Sequence, residues 1–407
     1  MNGAVLAVGD ELLLGDIVNS NAAWLGEQLA AVGVQVVASA MVGDDVQRLA
    51  SALRRSLEDA DVVVLTGGLG PTVDDLTRDA VALVAGVALD RSSLIEGQLK
   101  ERLATYGFPV LPEVLKQADV PRGAEAVDNP VGTAPGLWFE LGDGKVVIAL
   151  PGPPHEMRGV AYLLLPRLAA RSGRRVVTRQ LKTAGLGESQ VAGLVEQAVE
   201  VPEGVALAYL AGSGVVRVRW TTSGDPGVLE PLVKVCAEAL GEAVWGQDEA
   251  TLDGVVHDLL AQRGATVAVA ESLTGGLLGA ALSRRPGSSA TFRGGFIAYA
   301  TDLKQSAAGV PAAVLAEHGA VAPETALALA RGARDRTGAT WGIATTGVAG
   351  PAEQEGKPVG TVHVAVSGPD QEQVLSLRLP GDRQRVRLLA VTSALDLLRR
   401  RLGKPDG

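Results

Sequence analysis

One cysteine in 407 residues, Cys236, leaves no partner for an internal disulfide and no basis for an all-cysteine metal site. Aromatic residues make up only 3% of the chain, too few for the stacking platforms that hold single-stranded nucleic acid. Positive charge is outnumbered. Against 46 aspartates and glutamates stand 37 lysines and arginines, a net charge of −9, so no overall basic field draws the chain to nucleic acid or to an anionic membrane. No stretch has the uninterrupted apolar length of a membrane span, and Met1 to Val8 lacks the basic start and long apolar core of a signal peptide. A soluble cytoplasmic protein, with no membrane or direct nucleic-acid partner, is the expectation. The Rossmann glycine spacing and the Walker A loop are also missing.

What is present is apolar and periodic. Hydrophobic residues are 47% of a chain long enough for two or three domains, each able to build a core. Buried strands read at 3–9, 34–40 and 61–65, alternating with helical segments at 19–32 and up to Leu57. That alternation predicts a doubly wound parallel sheet with ligands beyond the carboxyl ends of its strands. A helix-rich excursion at 91–120, broken by Pro109 and Pro112, and a hairpin at 137–150 complete a first domain, 1–170. The charged break at 171–175 and the acidic turn at 246–249 bracket a small α+β module, 171–248. Its expected strands are 176–183 and 215–222, and its expected helices lie near 187–200 and 226–242. Residues 249–407 then repeat the strand–helix alternation. The fold class is α/β: two three-layer α/β sandwich domains joined by the small module.

Two glycine-containing turns carry the chemistry. In the last domain the apolar run 265–270 enters Glu271-Ser-Leu-Thr-Gly-Gly276 and then a helix from Leu277. Strand, glycine turn and helix point backbone N–H groups at an anion, so Thr274, Gly275 and Gly276 are candidate substrate contacts beside Ser272; the plainer reading is a turn that caps the helix. No histidine adjoins this turn, so the better partner for Ser272 is Lys304, a base once burial or neighbouring cations lower its pKa, though otherwise a surface helix residue. Tyr299 can relay a proton or hold that base. Thr346 with the N–H groups of the 346–350 turn, Gly347 and Gly350 included, can bind a developing oxyanion, and Arg383 suits a phosphate.

The second turn, Thr66-Gly-Gly-Leu-Gly-Pro-Thr72, closes the third strand of the first domain, and Val73 to Thr77 is expected to open a helix. Gly67, Gly68, Gly70 and Thr72 let backbone N–H groups approach a phosphate closely. Asp74 and Asp75 beside it suit a bridging divalent cation, with Asp10 and Glu156 as further ligands; the bland alternative is a tight turn with acidic residues at a helix start. His155 reads as a structural residue.

Together these stretches resemble the CinA (competence/damage-inducible) family. Val8-Gly-Asp-Glu-Leu-Leu13, Thr66 to Thr77 and Pro151-Gly-Pro-Pro-His-Glu-Met157 are similar to its amino-terminal half. Glu271 to Gly276, Tyr299 with Lys304, His318-Gly-Ala-Val321, Gly347 to Pro351 and Gly381-Asp-Arg383 are similar to its carboxy-terminal domain. The resemblance implies a molybdopterin-binding-like first domain acting as an ADP-ribose pyrophosphatase with a divalent metal (magnesium, cobalt or manganese) and potassium as a helper. It also implies a KH-like middle module and a last domain that deamidates nicotinamide mononucleotide (NMN) to nicotinate mononucleotide and ammonia without a cofactor, in pyridine-nucleotide recycling. In that resemblance Ser272 is the nucleophile and Lys304 the base, Tyr299 and Thr346 assist, and the protein is a homodimer. Leu273 stands where the family commonly has Cys, Thr346 where it has Ser, Thr301 where it has Asn, and Val8 where it has Thr. Two alternatives remain: a molybdopterin-binding or transferase role for the first domain, and a nucleotide-sensing adaptor for DNA-uptake or recombination proteins.

Overall fold

The computed structural model describes residues 1–105, 107–173 and 176–403. Tyr106, within the expected helix-rich excursion, Arg174 and Arg175 of the charged break, and residues 404–407 of the last domain lie outside the described residues. The chain forms two compact units, Met1–Val177 and Thr178–Gly407.

In the first unit, β1 (Asn2–Val8), β2 (Gln35–Val42), β3 (Val62–Thr66), β4 (Leu89–Arg91), β5 (Asp119–Pro121), β6 (Glu125–Val127), β7 (Gly136–Glu140) and β8 (Val146–Leu150) follow in chain order. Among the described residues six of these make one sheet in the order β2-β1-β3-β8-β7-β6, and β4 pairs with β5. The sheet is parallel from β2 to β8, as the strand–helix alternation predicts, and antiparallel from β8 to β6, where the expected hairpin lies. The hairpin β7–β8 reverses direction with a tight turn at 142–144, which a parallel crossover cannot do.

Side chains alternate across the strands. Leu6, Val8, Val63, Leu65 and Val147 face one core with the helix Val46–Asp59, while Val5, Val62, Val64 and Ile148 face another with the helices Ser20–Ala31 and Pro154–Ser172. Strands buried on both faces explain the near-continuous apolar runs in the sequence. The helix expected to open at Val73 begins instead at Thr77. Asp75 folds back to accept N–H bonds from Gly70 and Thr72, and this holds 70–75 as a turn.

β9 (Val177–Ala184), which starts at the boundary residue, β10 (Val205–Gly212), β11 (Val215–Thr222) and β12 (Val244–Gln247) make a four-stranded sheet in the order β10-β11-β9-β12. β10 and β12 were not expected from the sequence. The module shares a core with the last domain: Ala184 and Trp245 pack in the cluster that holds Val267, Ile343 and Val364.

The last sheet is β14-β13-β15-β16-β17, from β13 (Val267–Glu271), β14 (Phe292–Ile297), β15 (Trp341–Gly347), β16 (Thr361–Ser367) and β17 (Glu372–Arg378). Its two faces differ. Val267, Val269, Ile343 and Val364 meet the helices Leu252–Gln262, Leu277–Ser283 and Arg383–Leu402. The other face is alanine: Ala268, Ala270, Ala344 and Ala365 lie against the alanine-rich helix Pro323–Thr337. Small side chains let that helix sit close, and a Cβ at Gly342 would run into the carbonyl of Ala330.

Candidate active sites

The side-chain period places Glu271 on the valine face of β13, so the next residue, Ser272, points to the alanine face. There it meets Lys304, carried on the short helix Thr301–Ser306. Lys304 is 1% exposed, and its Nζ donates to Ser272 Oγ at 3.0 Å, to the carbonyl of Ala298 at 2.9 Å and to that of Tyr299 at 3.3 Å. Burial pushes the Lys304 ammonium down to about 8, against a small upward pull from Glu355. A neutral amine keeps two N–H groups and one lone pair. With two backbone carbonyls taking the N–H groups, the lone pair is left for the Ser272 hydroxyl.

A cavity of about 300 Å³ opens over this pair, lined among others by Ser272, Tyr299, Lys304, Thr346, Gly350 and Arg383. Arg383 spans its mouth, donating to the Gly350 carbonyl at 2.6 Å and to the Tyr299 hydroxyl at 2.5 Å. The Tyr299 side chain is half exposed and its hydroxyl accepts from Arg383, while its backbone carbonyl accepts from Lys304 and so holds the base. Thr346 is fully buried and donates its hydroxyl proton to the Ala320 carbonyl at 2.7 Å, so that hydroxyl is no oxyanion donor. Among the described residues the amides of Ala349 and Gly350 make no hydrogen bond, and both residues line the cavity. Gly347 lines it too.

The expected anion pocket at the glycine turn is absent, for a physical reason. Glu271, fully buried, accepts N–H bonds from Gly276 at 2.9 Å, Leu278 at 3.0 Å and Gly279 at 2.7 Å. The chain's own carboxylate fills the N-terminus of the helix Leu277–Ser283. Arg387 takes the loop's carbonyls, Leu273 at 3.0 Å and Thr274 at 2.7 Å. Thr274 bonds Thr345 at 2.7 Å, Gly275 and Gly276 turn the chain at φ of 56° and 98°, and none of these three lines the cavity. They shape the loop that presents Ser272.

In the first unit a cavity of about 390 Å³ lies at the carboxyl ends of β1, β3 and β8, lined among others by Glu11, Asn21, Gly67, Gly68, Gly70 and Asp75. The turn after β3 is clamped. Thr77 bonds the Gly67 carbonyl at 2.7 Å, and the buried Arg78 bonds those of Leu69 and Gly70 at 2.8 Å each. Lys116 bonds that of Asp75 at 2.8 Å. Burial lowers the Arg78 guanidinium to about 10 while Asp75 and Asp79 pull it up. Of the turn's amides, Gly67 bonds the carbonyl of Leu150, and Gly70 and Thr72 bond Asp75. Among the described residues Gly68 and Leu69 keep their amides free. Asn21 donates to Thr66 Oγ1 and the Gly152 carbonyl, and its Oδ1 is buried without a partner among the described residues.

The four acids expected to hold a metal do not converge, and among the described residues no three His, Cys, Asp or Glu side chains are grouped to hold an ion. Asp75 is engaged with the turn, and Glu156 accepts from Asn129 at 2.7 Å, which pins the loop 129–134. Asp10 and Asp44 exchange backbone-to-carboxylate bonds of 3.0 and 3.1 Å. Burial, then Asp10, Glu11 and Asp74, push Asp44 up, so carboxylates gather there, whereas the Thr72 hydroxyl holds the exposed Asp74 low. A magnesium-type ion bound through one or two carboxylates and the ligand's own phosphates needs no protein cage. Asp74 with the Asp10–Asp44 pair fits that mode only.

Comparison with known proteins settles the family. A CinA-like protein of Frankia casuarinae is 50% identical over 423 residues, covering 100% of this chain and 98% of the relative. The chain belongs to the CinA family. Residues 249–402 match the CinA C-terminal domain, residues 4–170 the family described as "Probable molybdopterin binding domain", and residues 178–246 the damage-inducible protein CinA KH domain. A CinA-like protein of Anaeromyxobacter sp. (strain Fw109-5) is 43% identical over 97% of this chain and 98% of the relative. The crystal structure of the CinA protein from Thermoplasma acidophilum is 40% identical, covers 41% of this chain and 99% of that one, and gives a TM-score of 0.39. No helix among the described residues is long and apolar enough to cross a membrane.

In this CinA-family chain, motif reading missed Glu271 and Arg387 at one loop, Arg78 and Asn21 at the other, and Glu355. Glu355 accepts from the amides of Ala320 and Val321 at 3.0 and 3.2 Å and so ties the loop 351–358 to the cavity wall. Arg387 lies 114 residues from the Leu273 carbonyl it bonds, a distance that only the fold closes, whereas Arg78 lies nine residues after Leu69 and reads in the sequence only as one more charge at a helix start. Glu271 adjoins Ser272, but nothing in the sequence says that its side chain turns inward.

Proposed function

We propose that the last domain is an amidohydrolase that converts NMN to nicotinate mononucleotide and ammonia without a metal. The observation that carries this reading is Lys304, buried, with its pKa brought to about 8 and its amine 3.0 Å from Ser272 Oγ. Ser272 Oγ attacks the carboxamide carbon as its proton passes to Lys304 Nζ. The oxyanion that forms is met by the free amides of Ala349 and Gly350. Lys304 then returns the proton to the leaving nitrogen, the C–N bond breaks and ammonia departs, leaving an ester on Ser272. Water, deprotonated by the same lysine, hydrolyses the ester to the acid. Arg383 at the mouth suits the nucleotide phosphate. Ser272→Ala in a folded protein is expected to abolish ammonia release; full activity in that variant would remove the nucleophile assignment.

For the first domain the reading is cleavage of ADP-ribose to AMP and ribose 5-phosphate. It is supported by the cavity at the strand ends and by the free amides of Gly68 and Leu69, which suit a pyrophosphate. A divalent ion there would neutralise phosphate charge, with Asp74 and Asp10 as its protein contacts. Asp74→Ala is expected to end that cleavage, and unchanged cleavage would sink the metal assignment. We place the protein in the cytoplasm as a homodimer acting in pyridine-nucleotide recycling.

A further inference from the structure

We propose that Glu355 is a positioning residue of the amidase, clipping the loop that carries the oxyanion amides to the turn 319–321; the inference rests on the amidase reading above. Its backbone is the first sign. Glu355 has a φ of 53° and Gly356 one of 69°, and Gln354 and Lys357 on either side exchange backbone bonds of 3.1 and 2.9 Å. These are the features of a two-residue type I′ turn, which prefers glycine, asparagine or aspartate at both central positions. A glutamate there is strained, and such a residue persists where its surroundings hold it.

The side chain is held by two successive amides. Gly319 turns the chain at a φ of 81°, and the next two N–H groups both reach Glu355: Ala320 donates to Oε1 at 3.0 Å and Val321 to Oε2 at 3.2 Å. Consecutive amides in such a turn make a concave anion site, here filled by the chain's own carboxylate. A Cβ at Gly319 would lie 2.5 Å from Glu355 Oε2, so the position is left to glycine. Lys357 completes the clip: it bonds the Val321 carbonyl, and its ammonium is 3.9 Å from Glu355.

Both partners of the clip belong to the cavity wall. Ala320 and Val321 line the cavity with Ser272 and Lys304, and so do residues 349–354 of the loop that runs into Glu355. One end of that loop is fixed at the strand: the Val348 amide bonds the Thr361 carbonyl and the Val348 carbonyl accepts from Gly360, both at 2.8 Å. Among the described residues, the bonds from 351–357 to the rest of the domain are all made by Glu355 and Lys357. Arg383 also holds the Gly350 carbonyl, but a phosphate at the mouth would compete for that arginine. Glu355 therefore keeps the amides of Ala349 and Gly350 in place once substrate is bound. Its charge acts on the base as well, favouring the ammonium of Lys304 where burial disfavours it. The other charged or titratable groups near the clip are Glu317, His318, Glu324, Lys357 and His363, with Glu353 and Arg383 on the cavity itself.

The test is ammonia release from NMN, followed from about pH 6 to 9, by the full chain in its natural form and with Glu355→Gly or Glu355→Gln. Glycine takes the left-handed turn without strain, so the first variant is expected to fold, which circular dichroism checks. It should lose about 10- to 100-fold in kcat with KM within about twofold, the pattern for misplaced groups that act in the transition state alone. Glutamine keeps one acceptor oxygen but no charge, and should bring kcat back to within about tenfold of the natural chain. In both variants the rising limb of the pH profile should move to lower pH, because Lys304 loses a charge that favours its ammonium. A merely structural clip would leave that limb in place. An unchanged kcat in Glu355→Gly, or a limb unmoved in both variants, overturns the proposal. If Glu355→Gly does not fold, the limb of Glu355→Gln alone decides between the same outcomes. Silence from the natural chain at every pH overturns the amidase reading, and this inference with it.

Discussion

The loops after β3 and after β13 follow one plan and end differently. Each leaves a buried strand, turns on glycines, has backbone amides taken by an acid of the chain, and has carbonyls taken by an arginine from a helix: Asp75 with Arg78, Glu271 with Arg387. The acids differ in reach. Glu271 is fully buried at its strand end and occupies amides of the helix that follows, so no helix terminus is left for an anion. Asp75 lies beyond its turn and occupies Gly70 and Thr72, leaving Gly68 and Leu69 free. Among the described residues one turn is thereby left with its helix amides filled, the other with two amides open to its cavity. A glycine turn after a strand does not make an anion site; which amides the chain's own acids occupy decides it.

Glu271→Gln breaks the plan most severely. Its NH2 would face N–H donors, and the displaced Ser272 loop is expected to lose about 10²-fold in kcat. Urea unfolding should show a loss of about 2–3 kcal/mol, the range for buried hydrogen bonds to a charge. Asp75→Asn, by contrast, should leave ammonia release untouched; a fall there would contradict the independence of the two loops.

The pH profile sharpens the same contrast. With Lys304 near 8 and needed neutral, amidase kcat/KM should rise about tenfold per pH unit below 8 and level off above it. Its folded pKa lies below the ordinary 10.5, so the unfolded chain binds more protons between about 8 and 10.5. Stability relative to Lys304→Met should therefore increase with pH across that window. A profile flat from pH 6 to 9 would deny the lysine its role.

Arg383→Ala should raise KM about tenfold with kcat little changed, as expected for a charge-assisted contact to phosphate made in substrate and transition state alike. The smallest effects are on stability alone. Arg78→Ala orphans the carbonyls of Leu69 and Gly70 and should cost about 2 kcal/mol, and Arg387→Ala, on a less buried side chain, about 1 kcal/mol. Denaturant titration measures both; the reverse order would mean the arginines do not clamp their loops alike.

Much of this was legible in the sequence. Valine runs at 62–65 and 267–269 reported strands because both faces of those strands are buried. Ser272 and Lys304 were paired because no histidine adjoins the turn, and the fold brings them together. Less legible was β10, whose Val-Ala-Leu-Ala-Tyr-Leu-Ala-Gly sequence lacks a clean alternation because much of the strand is only partly buried. The start of the helix at Thr77 was missed because Asp75 bonds backward into its own turn. Hydroxyl direction at Thr346 and the aim of Tyr299 depend on partners far along the chain, Ala320 and Arg383, and no spacing rule reaches them.

The most direct measurement is ammonia release from NMN in the presence of a chelator, for the natural chain and for Lys304→Ala. The account predicts release by the natural chain and a fall of about 10³-fold in the folded variant, within the range for loss of a general base. Silence from the natural chain, or equal release by the variant, would contradict it.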